Sequence, residues 1–256
     1  TDTGLDFPAG QAAPLAELRW TLPDMDLPDL PKSEVQIIEE TNAFRRTHGL
    51  EALAQNPALR TAAQAFARYL AMSGSFSHEA DGRKPAERAL AAGYRYCIVA
   101  ENLALNQRSD GFTTNQLATE ALQGWMASPS HRAAMLHAHV TDIGVGIARA
   151  PDRAPKFISV QMFGRPDSLR YAFVVRNESK SEVSYLIDSA RHRAPAASQV
   201  THTTCVPTAV TFELKWGQPG LTFDAGPGHR YMIAADGDGK LKVQPSIEGT
   251  VQSDRR

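Results

Sequence analysis

The chain has 256 residues, 42% of them hydrophobic and 21% charged, with a formal net charge of −1. That is the profile of a globular protein with a substantial core, and it excludes a charge-driven nucleic-acid or membrane binder. Neither an apolar run of the roughly 20 residues a membrane helix needs nor a secretory leader is visible.

Residues 1–32 read as an extended arm. Pro14, Pro23, Pro28 and Pro31 fix φ and remove donors, so "TLPDMDLPDLPK" is expected to run in polyproline-like form, with Trp20 lying on its own domain or on a partner. Helical patterning begins at Ser33, where "SEVQ" offers a capping box and Ile37, Ile38, Thr41 and Phe44 make an inward stripe. Asn56-Pro57 opens a second helix whose Leu59, Ala62, Ala63, Phe66, Ala67 and Leu70 repeat at i, i+3, i+4. A short helix from Pro85 to Gly93 follows, then one from about Thr114 with Leu117, Ala118, Ala121, Leu122 and Trp125 on one face. In "SPSHRAAML", Ser128 is the expected cap, Pro129 the first helical position and His131 the third.

The period then changes. "IGVGIA" (143–148) and "FISVQMF" (157–163) read as an antiparallel pair, and "CIVAENLA" (97–104) as a further strand. Helices stacked around a small sheet, with one core over 33–165, are the expectation for this part. "GRPDSLR" reads as a linker. Beyond it "RYAFVV", "VSYLID", "AVTFEL", "RYMIAA" and "KLKV", punctuated by "RNESKSE", "WGQPG", "AGPGH" and "DGDG", predict a small β-sandwich or barrel over 166–256.

Three side chains stand out: His78 in a turn after Phe76, Glu101 in "AENLA", and His131. The segments that carry them, "NAFRRTHGLEALAQNPALRTAAQAFA", "FSHEADGRKPAERALAAGY", "AENLA", "GWMASPSHRAAML" and "IGVGIA…FISVQMFG", occur in the order found in the CAP superfamily (cysteine-rich secretory proteins, antigen 5 and pathogenesis-related 1 proteins). Over residues 33–165 the chain resembles the shorter bacterial branch of that family. The resemblance implies an α-β-α sandwich with a central cleft, in which two His and two acidic residues can hold a divalent metal such as zinc. His78 matches the first histidine, Glu101 the first acid and His131 the second histidine. The position of the second acid is Ser128 here, and the nearest carboxylate, Glu120, falls off the apolar stripe of its helix at 100° per residue.

Two imidazoles and one carboxylate are a first-row metal set with an open position, and a helix N-terminus disfavours imidazolium at His131. The same groups could instead serve their own backbone. Cys97 and Cys205 form either one disulfide joining the two halves or two separate buried thiols. His137 and His139 suit a helix C-terminus better than a metal pair. "DGDG" (236–239) lacks the later acid of a calcium loop, and "NES" (177–179) is a glycosylation sequon.

The leading expectation is a secreted or periplasmic binding protein. Its cleft takes a metal or small ligand, and its β domain and arm meet a protein or envelope component. Lipid binding is implied by the family alone. A metal-dependent hydrolase of peptide, ester or cell-wall bonds and a structural envelope subunit with a vestigial cleft are the alternatives. No Ser- or Cys-centred nucleophile motif is visible.

Overall fold

The computed structural model describes residues 27–214 and 220–247. The proline-rich stretch up to residue 26, with Trp20, and residues 216–219 of "WGQPG" lie outside them. Five helices and four strands make the first part of the described chain: α1 (Leu30–Thr47), β1 (Ala54–Gln55), α2 (Pro57–Ser73), α3 (Pro85–Ala91), β2 (Tyr96–Gln107), α4 (Thr114–Ala127), α5 (Pro129–Met135), β3 (Asp142–Arg149) and β4 (Lys156–Pro166).

The first helix starts three residues before the expected cap. Asp29 is the N-cap, its carboxylate accepting from the Lys32 amide, and Pro31 sits in the first turn, where its missing N–H costs nothing. Ser33, read from sequence as the cap, is fully buried and donates to the Thr114 carbonyl, tying α1 to α4. The second helix begins as its sequence dictates, with Asn56 Oδ1 accepting from the amides of Ala58 and Leu59.

The four strands form one sheet in the order β1-β3-β4-β2. Apolar cores lie on both of its faces: α1, α4 and α5 cover one, α2 and α3 the other. Gly144 and Gly146 permit the closest approach. A Cβ at Gly146 would stand 2.3 Å from the Gln64 amide nitrogen, and one at Gly144 2.3 Å from that of Arg60, so α2 rests directly on β3. Among the described residues β2 pairs only with β4, so one of its long sides has no strand beside it.

The segment expected to be a linker instead completes β4 and forms a 3-10 turn at Asp167–Leu169, pinned by Asp167 N–H to the Arg95 carbonyl. Eight strands follow among the described residues: β5 (Tyr171–Asn177), β6 (Val183–Ile187), β7 (Ala190–Ala194), β8 (Ser198–Thr204), β9 (Thr208–Phe212), β10 (Leu221–Ala225), β11 (His229–Ala235) and β12 (Leu241–Ile247). They form two four-stranded sheets, β10-β9-β6-β7 and β12-β11-β5-β8, around a separate aromatic core of Phe173, Tyr185, Phe212 and Tyr231. "DGDG" closes the β11–β12 hairpin, with Asp236 Oδ1 accepting from the amides of Asp238 and Lys240. The sequon residue Asn177 is 1% exposed and donates to the carbonyls of Ser181, Ala194 and Pro195, a structural role that excludes glycan attachment in the folded state.

Cys97 and Cys205 are joined by a disulfide, their Cα atoms 6.2 Å apart and 108 residues apart in sequence. Arg165 reinforces the junction by bonding the carbonyls of Cys205 and His139.

Candidate functional site

The two faces of β2 each receive one of a pair of neighbouring residues. Glu101 points to the α2/α3 face and Asn102, by the strand's alternation, to the α1/α4 face. Glu101's side chain is 1% exposed and needs compensating charge. Arg88, on α3, provides it. Its Nη2 donates to both carboxylate oxygens, at 3.0 and 2.9 Å, and to the His78 carbonyl at 2.7 Å. Nη1 bonds Asp81 and the Arg83 carbonyl, at 2.7 and 2.6 Å, and the guanidinium lies 3.5 Å over the Phe66 ring. One buried cation thus holds both the acid and the turn that carries His78.

His78 Nδ1 lies 2.8 Å from Glu101 Oε1. A carboxylate accepts, so the neutral ring carries its proton on Nδ1 and turns Nε2 outward as an acceptor. Burial pushes the Glu101 carboxyl up from the ordinary carboxylate range, while Arg88 and His78 pull it back. On the other face Asn102 Nδ2 donates to the His131 carbonyl and to Gln161 Oε1, both at 3.1 Å. Gln161 in turn donates to Thr41, and Thr41 to the Ile37 carbonyl. Behind α5, the buried Arg45 binds the carbonyls of Met135 and His137. Partial burial, and then the charge of His78, push the His131 imidazole below its ordinary pKa. His78 thus lies beside Glu101 on one face of β2, and the main chain of His131 beside Asn102 on the other.

Glu120 stays outside this group. Its carboxylate accepts from Arg108 Nη1 at 2.9 Å. Arg108 follows β2 seven residues past Glu101, about 23 Å along an extended strand. His137 and His139 occupy the turn after α5, their ring centroids 5.9 Å apart, with His137 Nδ1 accepting from the His139 amide.

The implied metal set of His78, Glu101 and His131 does not assemble. Among the described residues no group of three or more His, Cys, Asp and Glu side chains is placed to hold an ion. The carboxylate that would complete such a set has both oxygens engaged by a guanidinium, which puts a positive charge against the would-be ion. The residues present do not fit zinc.

Sequence reasoning missed Arg88, Asn102 and Gln161, and placed Thr41 on an inward stripe without its hydrogen-bond role. The signal for Arg88 was the acid itself: a carboxylate facing an apolar helix layer calls for a cation on that layer.

An α-β-α sandwich whose edge strand β2 sets Glu101 against His78 on one face and Asn102 against the His131 main chain on the other defines the class of protein. Residues 38–163 match the model of the CAP family, described as the cysteine-rich secretory protein family, so this part of the chain is a domain of that family. The chain is 29% identical over 114 residues to the uncharacterized protein YkwD of Bacillus subtilis, covering 44% of this chain and 41% of YkwD. It thus spans about two-fifths of that curated relative's length. Among solved structures, an extracellular SCP-domain protein of Bacillus anthracis is 27% identical with a TM-score of 0.44, covering 53% of this chain and 41% of that one. An outer surface protein of Borrelia burgdorferi is 22% identical with a TM-score of 0.45, covering 53% and 94%. No helix among the described residues is long and apolar enough to cross a membrane.

Proposed function

We propose that the protein is an exported binding protein whose cleft holds a small hydrogen-bonding ligand between His78 and His131, while the β-rich part meets a protein or envelope partner. One observation carries this reading. Arg88 and His78 Nδ1 engage the Glu101 carboxylate, so the groups left to meet a ligand are two imidazoles, one oriented and one kept neutral. The disulfide supports export, because such bonds persist in oxidising compartments.

Hydrolysis is the second reading, and one contact favours it. A carboxylate on Nδ1 is the arrangement that makes Nε2 a general base.

The test is carbon-detected histidine NMR with a library of small polar fragments. Saturable shifts of the His78 and His131 ring signals, lost in His78→Ala, are expected. Fragments that bind elsewhere while both rings stay still would overturn the reading.

A further inference from the structure

We infer that the open edge of β2 between the two imidazoles takes an extended peptide as an added strand. This rests on the reading of the cleft as a binding site and names its ligand class. In an antiparallel pair, residues alternately bond to the partner strand and face away from it. Leu103 faces away, because its carbonyl accepts from the Trp125 indole Nε1 at 2.9 Å. By the period of two, Glu101 and Val99 face away as well. The far side of the sheet agrees. In β3, which shares β4, Ile147 N–H reaches outward to Glu34 Oε1 and Ile143 C=O accepts from the Asn56 amide.

Five main-chain groups follow: the N–H and C=O of Val99, those of Glu101, and the N–H of Leu103. None has a hydrogen-bond partner among the described residues. Glu101 is 9% exposed while its side chain is only 1% exposed, so what reaches solvent there is main chain. Donors and acceptors repeating every two residues, about 6.8 Å, match the main chain of an extended peptide. Trp125 caps the run at Leu103 and the bulge between Tyr96 and Ile98 ends its regular part, leaving room for about four residues.

Directly opposed residues share a face. The peptide residue opposite Ala100 stands on the side of His131. Those opposite Val99 and Glu101 stand on the side of His78. The two imidazoles then read alternate side chains while β2 reads the backbone.

The experiment uses a pool of N-acetylated, C-amidated random tetrapeptides and amide NMR on the whole chain. Val99, Glu101 and Leu103 amides are expected to shift and to exchange with solvent at least tenfold more slowly, while Ala100 and Asn102, already bonded to β4, stay unchanged. N-methylation along a bound tetrapeptide should weaken binding tenfold or more at alternate positions only. Val99→Pro removes an outward donor without touching the β2–β4 ladder and should weaken binding similarly in a folded protein. Amides 99–103 unmoved at about 1 mM peptide, a range that captures weak complexes, would overturn the inference. So would a uniform N-methyl effect, or shifts that follow protein concentration alone through self-association. Fragment binding lost in His78→Ala with no tetrapeptide effect sinks this inference and spares the cleft. The alternate N-methyl pattern without any fragment effect does the reverse.

Discussion

Replacing Arg88 with methionine leaves the Glu101 carboxylate buried without its cation. The wild-type guanidinium makes five polar contacts of 2.6–3.0 Å, to two carboxylates and two carbonyls, and is 5% exposed. Removing one partner of a buried ion pair costs about 3–5 kcal/mol, because the other charge stays uncompensated. At about 2–4 °C per kcal/mol for a chain of this size, the melting temperature should fall by roughly 6–20 °C. The loss should also depend on pH. Burial already raises Glu101, and without Arg88 the carboxyl rises further. The native state then binds a proton that the unfolded state has released, so stability declines as pH rises from the ordinary carboxylate range toward the raised folded value. Arg88→Met/Glu101→Gln removes that charge and should recover at least about 1 kcal/mol over the single variant. Urea unfolding followed by far-ultraviolet circular dichroism, at pH 5 and pH 8, measures all three proteins. A loss below about 1 kcal/mol for Arg88→Met, or a double variant no more stable than the single, would refute the assignment of Arg88 as the essential counter-charge.

Cys97→Ala/Cys205→Ala opens a 108-residue loop and should destabilise by about 2–5 kcal/mol; calorimetric unfolding of both proteins checks it. Gly146→Ala forces a Cβ against the backbone of α2, which cannot yield as a side chain would, and a loss near 3 kcal/mol is expected in urea. His131 should titrate below the ordinary imidazole range by NMR and move partway back in His78→Asn, since burial accounts for most of its depression. A depressed histidine is more protonated unfolded than folded. It therefore contributes stability that is present above its unfolded pKa and lost as pH falls through the folded one.

The site was legible where chemistry sits in short motifs and illegible where it depends on what faces a motif. His78, Glu101 and His131 stand out by residue type and context, and strand alternation places Glu101 on one face. Arg88 did not stand out, because a charged residue inside "PAERALA" reads as a solvated flank unless a buried acid is sought opposite it. The α1 start was misplaced for a local reason: Pro31 was read as a breaker, although the first turn tolerates proline, and Asp29 was free to cap. In the β-rich part the apolar runs were recognisable, but "ARHRA" and "SQVTHTT" carry little alternation of apolar and polar residues. They became β7 and β8 through pairing with β6 and β5, and His192 and His202, with ring centroids 5.0 Å apart, meet across the two strands. Tertiary pairing decided those segments, as it commonly does for edge strands.

A buried carboxylate can be neutralised by a metal ion or by a guanidinium, and the two solutions leave different clefts. An ion would draw both imidazoles and the acid into one coordination shell. Arg88 instead holds both Glu101 oxygens on its Nη2, and Glu101 fixes the tautomer of His78. The arrangement is complete without added charge. Dialysis against EDTA should therefore leave the melting temperature and the His78 ring signals unchanged. Calorimetric titration with zinc, copper or magnesium should give equal heats for the wild type and for His78→Ala/His131→Ala. A larger heat in the wild type, with proton release as the rings coordinate, would show that Arg88 gives way to an ion and that the cation pictured here is only one of two occupants.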